Sequence, residues 1–335
     1  MCEHGTQTRA LLTQLEAIVS HVILGKGPIG RALADHLARA GHDVLVLSRS
    51  GAPAPRATVT AGAPAPTTGT IRHTALDGTD GPALAAAADG AEALYNCVNP
   101  AYHRWATDWP PVASAALHAA EASGAVLVTV GNLYPYGPAT FPMREDSPLA
   151  STETKGVVRA TMWRDAQAAH RAGRLRATEV RGSDYLGPGS EMHAHAGPRM
   201  LDPLLEGRRL APIGSADQPH SWTYLPDFAR ALASAATNPH AWGHAWHAPT
   251  PEPLTYRELA ARFADAAGAP RPRITPVPMW LVGLLGLGQP MLREIHRIGY
   301  QFTEPFVLDS TRSQEVLGLA PTPWDVIVAD TLAAR

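Results

Sequence analysis

"HVILGKGPIGRALADHLARAGHDVLVLSRS", residues 21–50, decides the fold. The run "HVILG" (21–25) reads as a strand, "IGRALADHLARA" carries its apolar residues at helical spacing, and "DVLVLS" (43–48) reads as a second strand. A strand, glycine turn, helix and strand form a right-handed crossover, which lays the two strands parallel in one sheet. Gly25, Gly27 and Gly30 give the turn its G-x-G-x-x-G pattern. The first glycine allows the tight turn, the second lets a pyrophosphate approach the backbone, and the third lets the helix pack closely. Together with Pro28 and Ile29 inside the turn, they are the expected dinucleotide contacts, and the free N–H groups of the helix start face the phosphates.

The end of the second strand reads the ribose. An NAD site places Asp or Glu there to accept from the 2′-hydroxyl, whereas this chain has Ser48, Arg49 and Ser50. Arg49 can pair with a 2′-phosphate and no carboxylate is present to repel it, so the expected cofactor is NADP (NADPH). Asp77, ending the third strand, either accepts from the adenine amino group or caps a helix. Asn99, after the fourth strand, joins the expected cofactor contacts.

Working outward, "TIRHTALD" (70–77), "ALYNCV" (93–98), "AVLVTVG" (125–131) and "RATEVRG" (176–182) read as further strands. Helical patterns stand between them, in "GPALAAAAD", "PVASAALHAAEASG" and "TETKGVVRATMWRDAQAAHRAG". The alternation predicts an α/β fold with a Rossmann-like, doubly wound parallel sheet covered on both faces. "GAPAPRATVTAGAPAPTTG", with "GAPAP" twice, is too rich in Pro and Gly for a helix and reads as an irregular loop. After about residue 185 the alternation stops. The expected organisation is an N-terminal extension at 1–19 with a short packing helix, a Rossmann domain at 20–185, and a smaller C-terminal substrate-binding domain at 186–335, partly interleaved with the Rossmann domain.

Composition narrows the function. The chain has 335 residues, 45% hydrophobic and 17% charged, with a net charge of −2. No basic footprint for nucleic acid or an anionic membrane is present. Cys2 and Cys97 are too few for a disulfide framework, which fits a reducing cytoplasm. The first twenty residues lack the pattern of a signal peptide, and "MWLVGLLGLG" (279–288) is about half the ~20 residues of a membrane span. His193, His195, His240, His244 and His247 have metal-compatible spacings, but no Cys or dense carboxylates accompany them, and no metal is expected. Ser183 and Ser190 lack the strand-turn-helix setting of a hydrolase nucleophile.

Taken together, the glycine motif, "VTVGNLYPYGP", Lys155, "VRGSDYLGPG", "SWTYLPDFARAL" and "FVLDSTRSQEVLGLAPT" resemble the extended short-chain dehydrogenase/reductase superfamily, of the NAD-dependent epimerase/dehydratase type. The resemblance covers about residues 20 to 330. It implies a catalytic Ser or Thr four residues before the tyrosine of a "YG" pair, here Tyr136 and Gly137, and that position holds Asn132. It implies a Tyr-x-x-x-Lys helix start, here Ser151 to Lys155, so the lysine matches and the tyrosine does not. Lys155 is then expected to bind the nicotinamide ribose. Tyr134, two residues after Asn132, faces the same side if the strand continues, and is the expected substitute acid.

The catalytic expectation is therefore Tyr134, Lys155, Asn132 and Ser151, and the substrate expectation is Tyr102, Trp105, Tyr136, Tyr185 and Met192, with Trp109, Met200, Trp222 and Trp280 as further apolar candidates. These side chains suit a small or medium, rather apolar molecule. The expected function is NADP-dependent oxidation or reduction of a carbonyl or hydroxyl group. Alternatives are a non-redox isomerase or cyclase, an epimerase or dehydratase, and an NADP-sensing protein without turnover. Expected partners are the substrate and a second copy in a homodimer, with no nucleic acid and no membrane.

Overall fold

The computed structural model describes residues 20–53, 68–138, 141–192 and 194–335. The expected N-terminal helix, most of the "GAPAP" loop and His193 lie outside the described residues.

Seven strands form one parallel sheet. They are β1 (His21–Leu24), β2 (Val44–Ser48), β3 (Ile71–Ala75), β4 (Ala93–Asn96), β5 (Val126–Asn132), β6 (Ala177–Gly182) and, skipping the short β7 (Asp184–Leu186) and β8 (Trp222–Tyr224), β9 (Ala245–His247). Their order across the sheet is β3-β2-β1-β4-β5-β6-β9, while β7 and β8 pair separately, also in parallel. His21–Leu24 pairs with Val44–Leu47 on one side and Ala93–Asn96 on the other. The chain thus leaves β1 in one direction and returns at β4 in the other, opening the crevice at the strand ends where doubly wound sheets bind ligands.

Alternation along the strands sets the two cores. Val22 and Leu24 face one side of the sheet with Leu47, Leu94 and Leu127, under α2 (Gly81–Ala87), the helix α3 (Trp105–Ser123) and the helix α4 (Thr154–Arg171) that follow it. Ile23, Val46, Tyr95 and Val128 face the other, under α1 (Pro28–Arg39) and α6 (Leu225–Thr237). A third core gathers β7, β8, α5 (Pro198–Leu205), α7 (Tyr256–Ala267) and α12 (Trp324–Ala333). Between them run α8 (Met279–Gly286), α9 (Pro290–Arg297), α10 (Tyr300–Thr303) and α11 (Thr311–Leu317). Ile298, Phe306 and Leu308 join the first core and Leu317 the second, so the late segment returns to the sheet.

One helix starts two turns earlier than its sequence pattern. The segment around Trp105 and Trp109, ahead of the helical pattern in "PVASAALHAAEASG", is the first part of α3, with Pro110 and Pro111 inside the helix. The prolines remove two ladder donors, but Trp105 and Trp109 are buried to 1% and 0% exposure and anchor this turn in the core. Among the described residues no helix is long and apolar enough to cross a membrane.

Candidate functional site

A cleft of about 1040 Å³ opens at the crevice beside β1 and β4. At one end lies the glycine turn. Gly25 has φ +110°, and a Cβ on it would lie 2.7 Å from the Cys97 carbonyl oxygen; a Cβ on Gly30 would lie 2.1 Å from the Gly25 carbonyl oxygen. Both positions therefore require glycine. Around the Cβ position of Gly27 there is nothing within 4 Å. That space adjoins the start of α1, whose N-cap Gly27 offers no side-chain partner to the helix N–H groups. That space and those donors suit a pyrophosphate.

Ser48, Arg49, Ser50, Asp77 and Asn99 also line this cleft, as do Pro28 and Ile29. Asp77 accepts from the Thr79 amide at 3.0 Å and its hydroxyl at 2.9 Å, which hold its carboxyl below the usual range. A residue the sequence reading missed stands between turn and ribose end: Lys26 Nζ donates to Ser50 Oγ at 2.7 Å and to the Ala52 carbonyl at 2.9 Å. Its signal was its place inside the glycine motif, between Gly25 and Gly27.

At the other end Asn132, Tyr134, Tyr102, Trp105 and Tyr185 line the cleft. Asn132 Oδ1 accepts from the Tyr134 amide at 3.2 Å, turning the chain into the short helical turn Tyr134–Tyr136. The hydroxyls of Tyr134 and Tyr102 are 2.9 Å apart. Burial, with Tyr102 and Asp184 adding to it, pushes the Tyr134 phenol well above its ordinary pKa. It therefore keeps its proton at neutral pH.

Lys155 is elsewhere. Glu153 caps α4 by accepting from the Lys155 and Gly156 amides, and the Lys155 side chain, 0% exposed, turns away from the cleft lining. Its Nζ lies 2.5 Å from Glu294 Oε2 and 3.4 Å from Glu153 Oε1, behind the Tyr102 ring at 5.7 Å from the centroid. Burying an ammonium demands such pairing. One helical turn on, Arg159 does line the cleft wall. It donates to the Val130 carbonyl at 2.8 Å and stacks 4.2 Å and 4.9 Å from the Trp109 and Trp105 ring centroids. Its signal was the four-residue spacing from Lys155 on a single helix face.

Other expected residues also fall outside the cleft. Ser151 is not in its lining; it lies against Gly156, where a Cβ would meet Ser151 Oγ at 2.0 Å. Tyr136 is buried in the protein interior, accepting from Arg181 Nη1 at 2.7 Å and donating to His247 Nε2 at 2.8 Å, so it is structural. Met192 and Trp280 are exposed on the surface, while Met200, Trp109 and Trp222 are ordinary core. His247 donates from Nδ1 to the Asp309 carbonyl at 2.7 Å, and no group of three potential metal ligands occurs among the described residues.

Three further acidic residues also line the cleft: Asp108, paired with Arg104, Glu191, tied to Arg31 at 3.0 Å, and Asp184. Asp184 Oδ2 lies 3.0 Å from His220 Nε2, without the alignment of a good hydrogen bond. Behind them a chamber of about 10 Å³, the size of one water, is lined by His195, Ser215, Gln218 and His220 among others.

The profile described as "NAD dependent epimerase/dehydratase family" matches residues 22–247. Among solved structures, an epimerase from Methanothermobacter thermautotrophicus is 15% identical with TM-score 0.74, covering 96% of this chain and 95% of that one. A UDP-glucose 4-epimerase from Thermotoga maritima, with UDP-glucose, is 15% identical with TM-score 0.72, covering 94% and 97%. A dTDP-glucose 4,6-dehydratase from Streptomyces venezuelae, with NAD bound, is 20% identical with TM-score 0.68, covering 94% and 96%. At these identities the likeness is one of fold. No curated protein sequence matches the chain.

Proposed function

The chain belongs to the NAD dependent epimerase/dehydratase family, of the extended short-chain dehydrogenase/reductase type, and from that premise we propose that it is an NADP-dependent enzyme acting on a carbonyl or hydroxyl group of a rather apolar molecule. The observation that carries the reading is that one cleft holds both the glycine turn with its basic ribose end, Lys26 and Arg49, and the phenol pair Tyr134 and Tyr102 beside Asn132. A nicotinamide dinucleotide supplies hydride transfer. Gly25, Gly27 and the α1 start would hold its pyrophosphate, and Arg49, Lys26 and Ser50 its 2′-phosphate.

The chain's own residues do the rest. Tyr134, kept protonated by its buried setting, donates to a substrate oxygen and stabilises negative charge there. Tyr102 accepts or relays through the shared hydroxyl contact. Trp105 and Tyr185 exclude water from the reacting face. Net reduction, and epimerisation or dehydration through a transient oxidation, begin from the same arrangement. A second reading, dinucleotide binding without turnover, is favoured by one observation: the ammonium of Lys155 is spent on two carboxylates, leaving no lysine beside the phenol to ease loss of its proton.

Fluorescence titration with NADPH and NADH tests the cofactor half. NADPH binding at least tenfold tighter supports the reading; equal affinities overturn it. Single-turnover hydride transfer with a panel of ketones and aldehydes, present in the wild type and lost in Tyr134→Phe, tests the chemical half.

A further inference from the structure

Asp184 stands in the substrate end of the cleft, among aromatic rings. Tyr102, Trp105, Tyr134, Tyr185 and Phe306 share that wall. Its side chain retains 24% exposure, and its inward oxygen, Oδ2, is sealed beside His220, itself 8% exposed in its side chain. Burial pushes the carboxyl up, yet the imidazoles of His220 and His195 more than reverse this and leave it below the ordinary carboxylate range. The site thus holds a carboxylate charged at neutral pH, with one edge toward the cleft.

The nearby cations are already engaged. Arg159 is stacked between two indoles and bonded to the Val130 carbonyl. Arg31 is paired with Glu191, and Arg104 with Asp108 at 3.0 Å. A phosphate or carboxylate entering beside Asp184 would meet a like charge in a partly desolvated wall, which costs far more than in water. An ammonium would meet a charge-assisted acceptor and the negative faces of tyrosine and tryptophan rings.

We propose that the substrate end of the cleft is an organic-cation site, in which Asp184 pairs with a protonated amine and the aromatic wall takes the adjoining apolar part. The substrate is then an amino alcohol or amino ketone rather than an anionic, phosphorylated one. This rests on reading the cleft as a dinucleotide-dependent site.

Calorimetric titration of NADPH-saturated protein at pH 7 and low salt compares three probes of similar shape: phenethylamine, 2-phenylethanol and 3-phenylpropanoate. A charge-assisted pair corresponds to roughly tenfold to a hundredfold in affinity, so phenethylamine should bind at least tenfold more tightly than the alcohol, and the carboxylate most weakly. In Asp184→Asn, nearly isosteric, the amine should fall to within about twofold of the alcohol while NADPH affinity stays. The wild-type ranking needs no variant and stands even if Asp184→Asn does not fold. Equal binding of amine and alcohol, no binding by any probe, a preference that survives in Asp184→Asn, or displacement of the amine by UDP-glucose at lower concentration each overturns the proposal. If NADPH itself does not bind, the dinucleotide reading falls separately, and the same ranking on cofactor-free protein still decides the cation site.

Discussion

Replacing Lys155 by methionine separates a structural lysine from a ribose-binding one. The substitution keeps most of the buried stem and removes an ammonium that is 0% exposed and 2.5 Å from Glu294 Oε2. Glu294 keeps Arg297 at 2.9 Å, but that guanidinium is half exposed and screened. Breaking a buried pair by removing one partner costs about 3–5 kcal/mol, and the remaining Arg297 contact places this case near the lower end. At about 2.1 cal/mol/K per residue, a chain of 335 residues shifts by roughly 1.4 °C per kcal/mol, so Tm should fall by roughly 4–5 °C. Because Lys155 lies outside the cleft lining, NADPH affinity should stay within about twofold. Replacing both members, Lys155→Met with Glu294→Leu, should recover much of the loss, since no charge is then stranded in α9. Differential scanning fluorimetry and NADPH titration on the same samples decide it. An unchanged Tm together with a tenfold or greater loss of NADPH affinity would refute the reasoning and return Lys155 to the ribose.

Arg49→Ala should weaken NADPH by about one to two decades and leave NADH unchanged, with Lys26→Ala producing a smaller shift in the same direction, both read by fluorescence titration. Tyr134→Phe should lower the single-turnover rate by roughly 10² to 10⁴ with folding intact, whereas Tyr136→Phe should instead cost about 1–3 kcal/mol of stability by stranding the buried Arg181 donor. Burial holds the imidazoles of His21 and His247 down to about 4, against about 6.5 in the unfolded chain. The unfolded state alone takes up these protons between pH 6.5 and 4, so the stabilisation is full above pH 6.5 and falls on acidification. At pH 5 it is reduced by about 2 kcal/mol per histidine. Urea midpoints at pH 7.5 and pH 5 measure this, and a flat profile contradicts it.

The parallel sheet was legible because its strands carry the chemistry of double burial: "HVILG" and "DVLVLS" are apolar on both alternating faces. The glycine turn was legible because Gly25 and Gly30 sit where no Cβ fits. The active end was less so. Lys155 resembles the family lysine in one dimension, but its direction is set by Glu294, 139 residues later, which no local pattern reveals. The α3 start was hidden by Pro110 and Pro111, whose local preference is overridden by two tryptophans packed into the core. Asp184 stood in view within "VRGSDYLGPG", yet its importance depends on His220, brought beside it by the pairing of β7 with β8. Tyr136 was expected among the substrate residues, whereas Arg181 and His247 occupy its hydroxyl, contacts between distant segments that no local pattern shows.

The chain of contacts Glu179, Arg181, Tyr136, His247 and the Asp309 carbonyl runs across the floor of the sheet and into the late segment. Every donor in it is deep in the protein, so parting its members would strand a guanidinium and an imidazole without water. The late segment around Asp309 is thereby tied into the sheet. Beside the cleft, Arg31 moors another stretch through the Gly189 carbonyl and the Glu191 carboxylate. An exposed tether of that kind breaks and re-forms far more cheaply than the buried floor. The hold on that stretch should then follow ionic strength, whereas the buried contacts are screened much less.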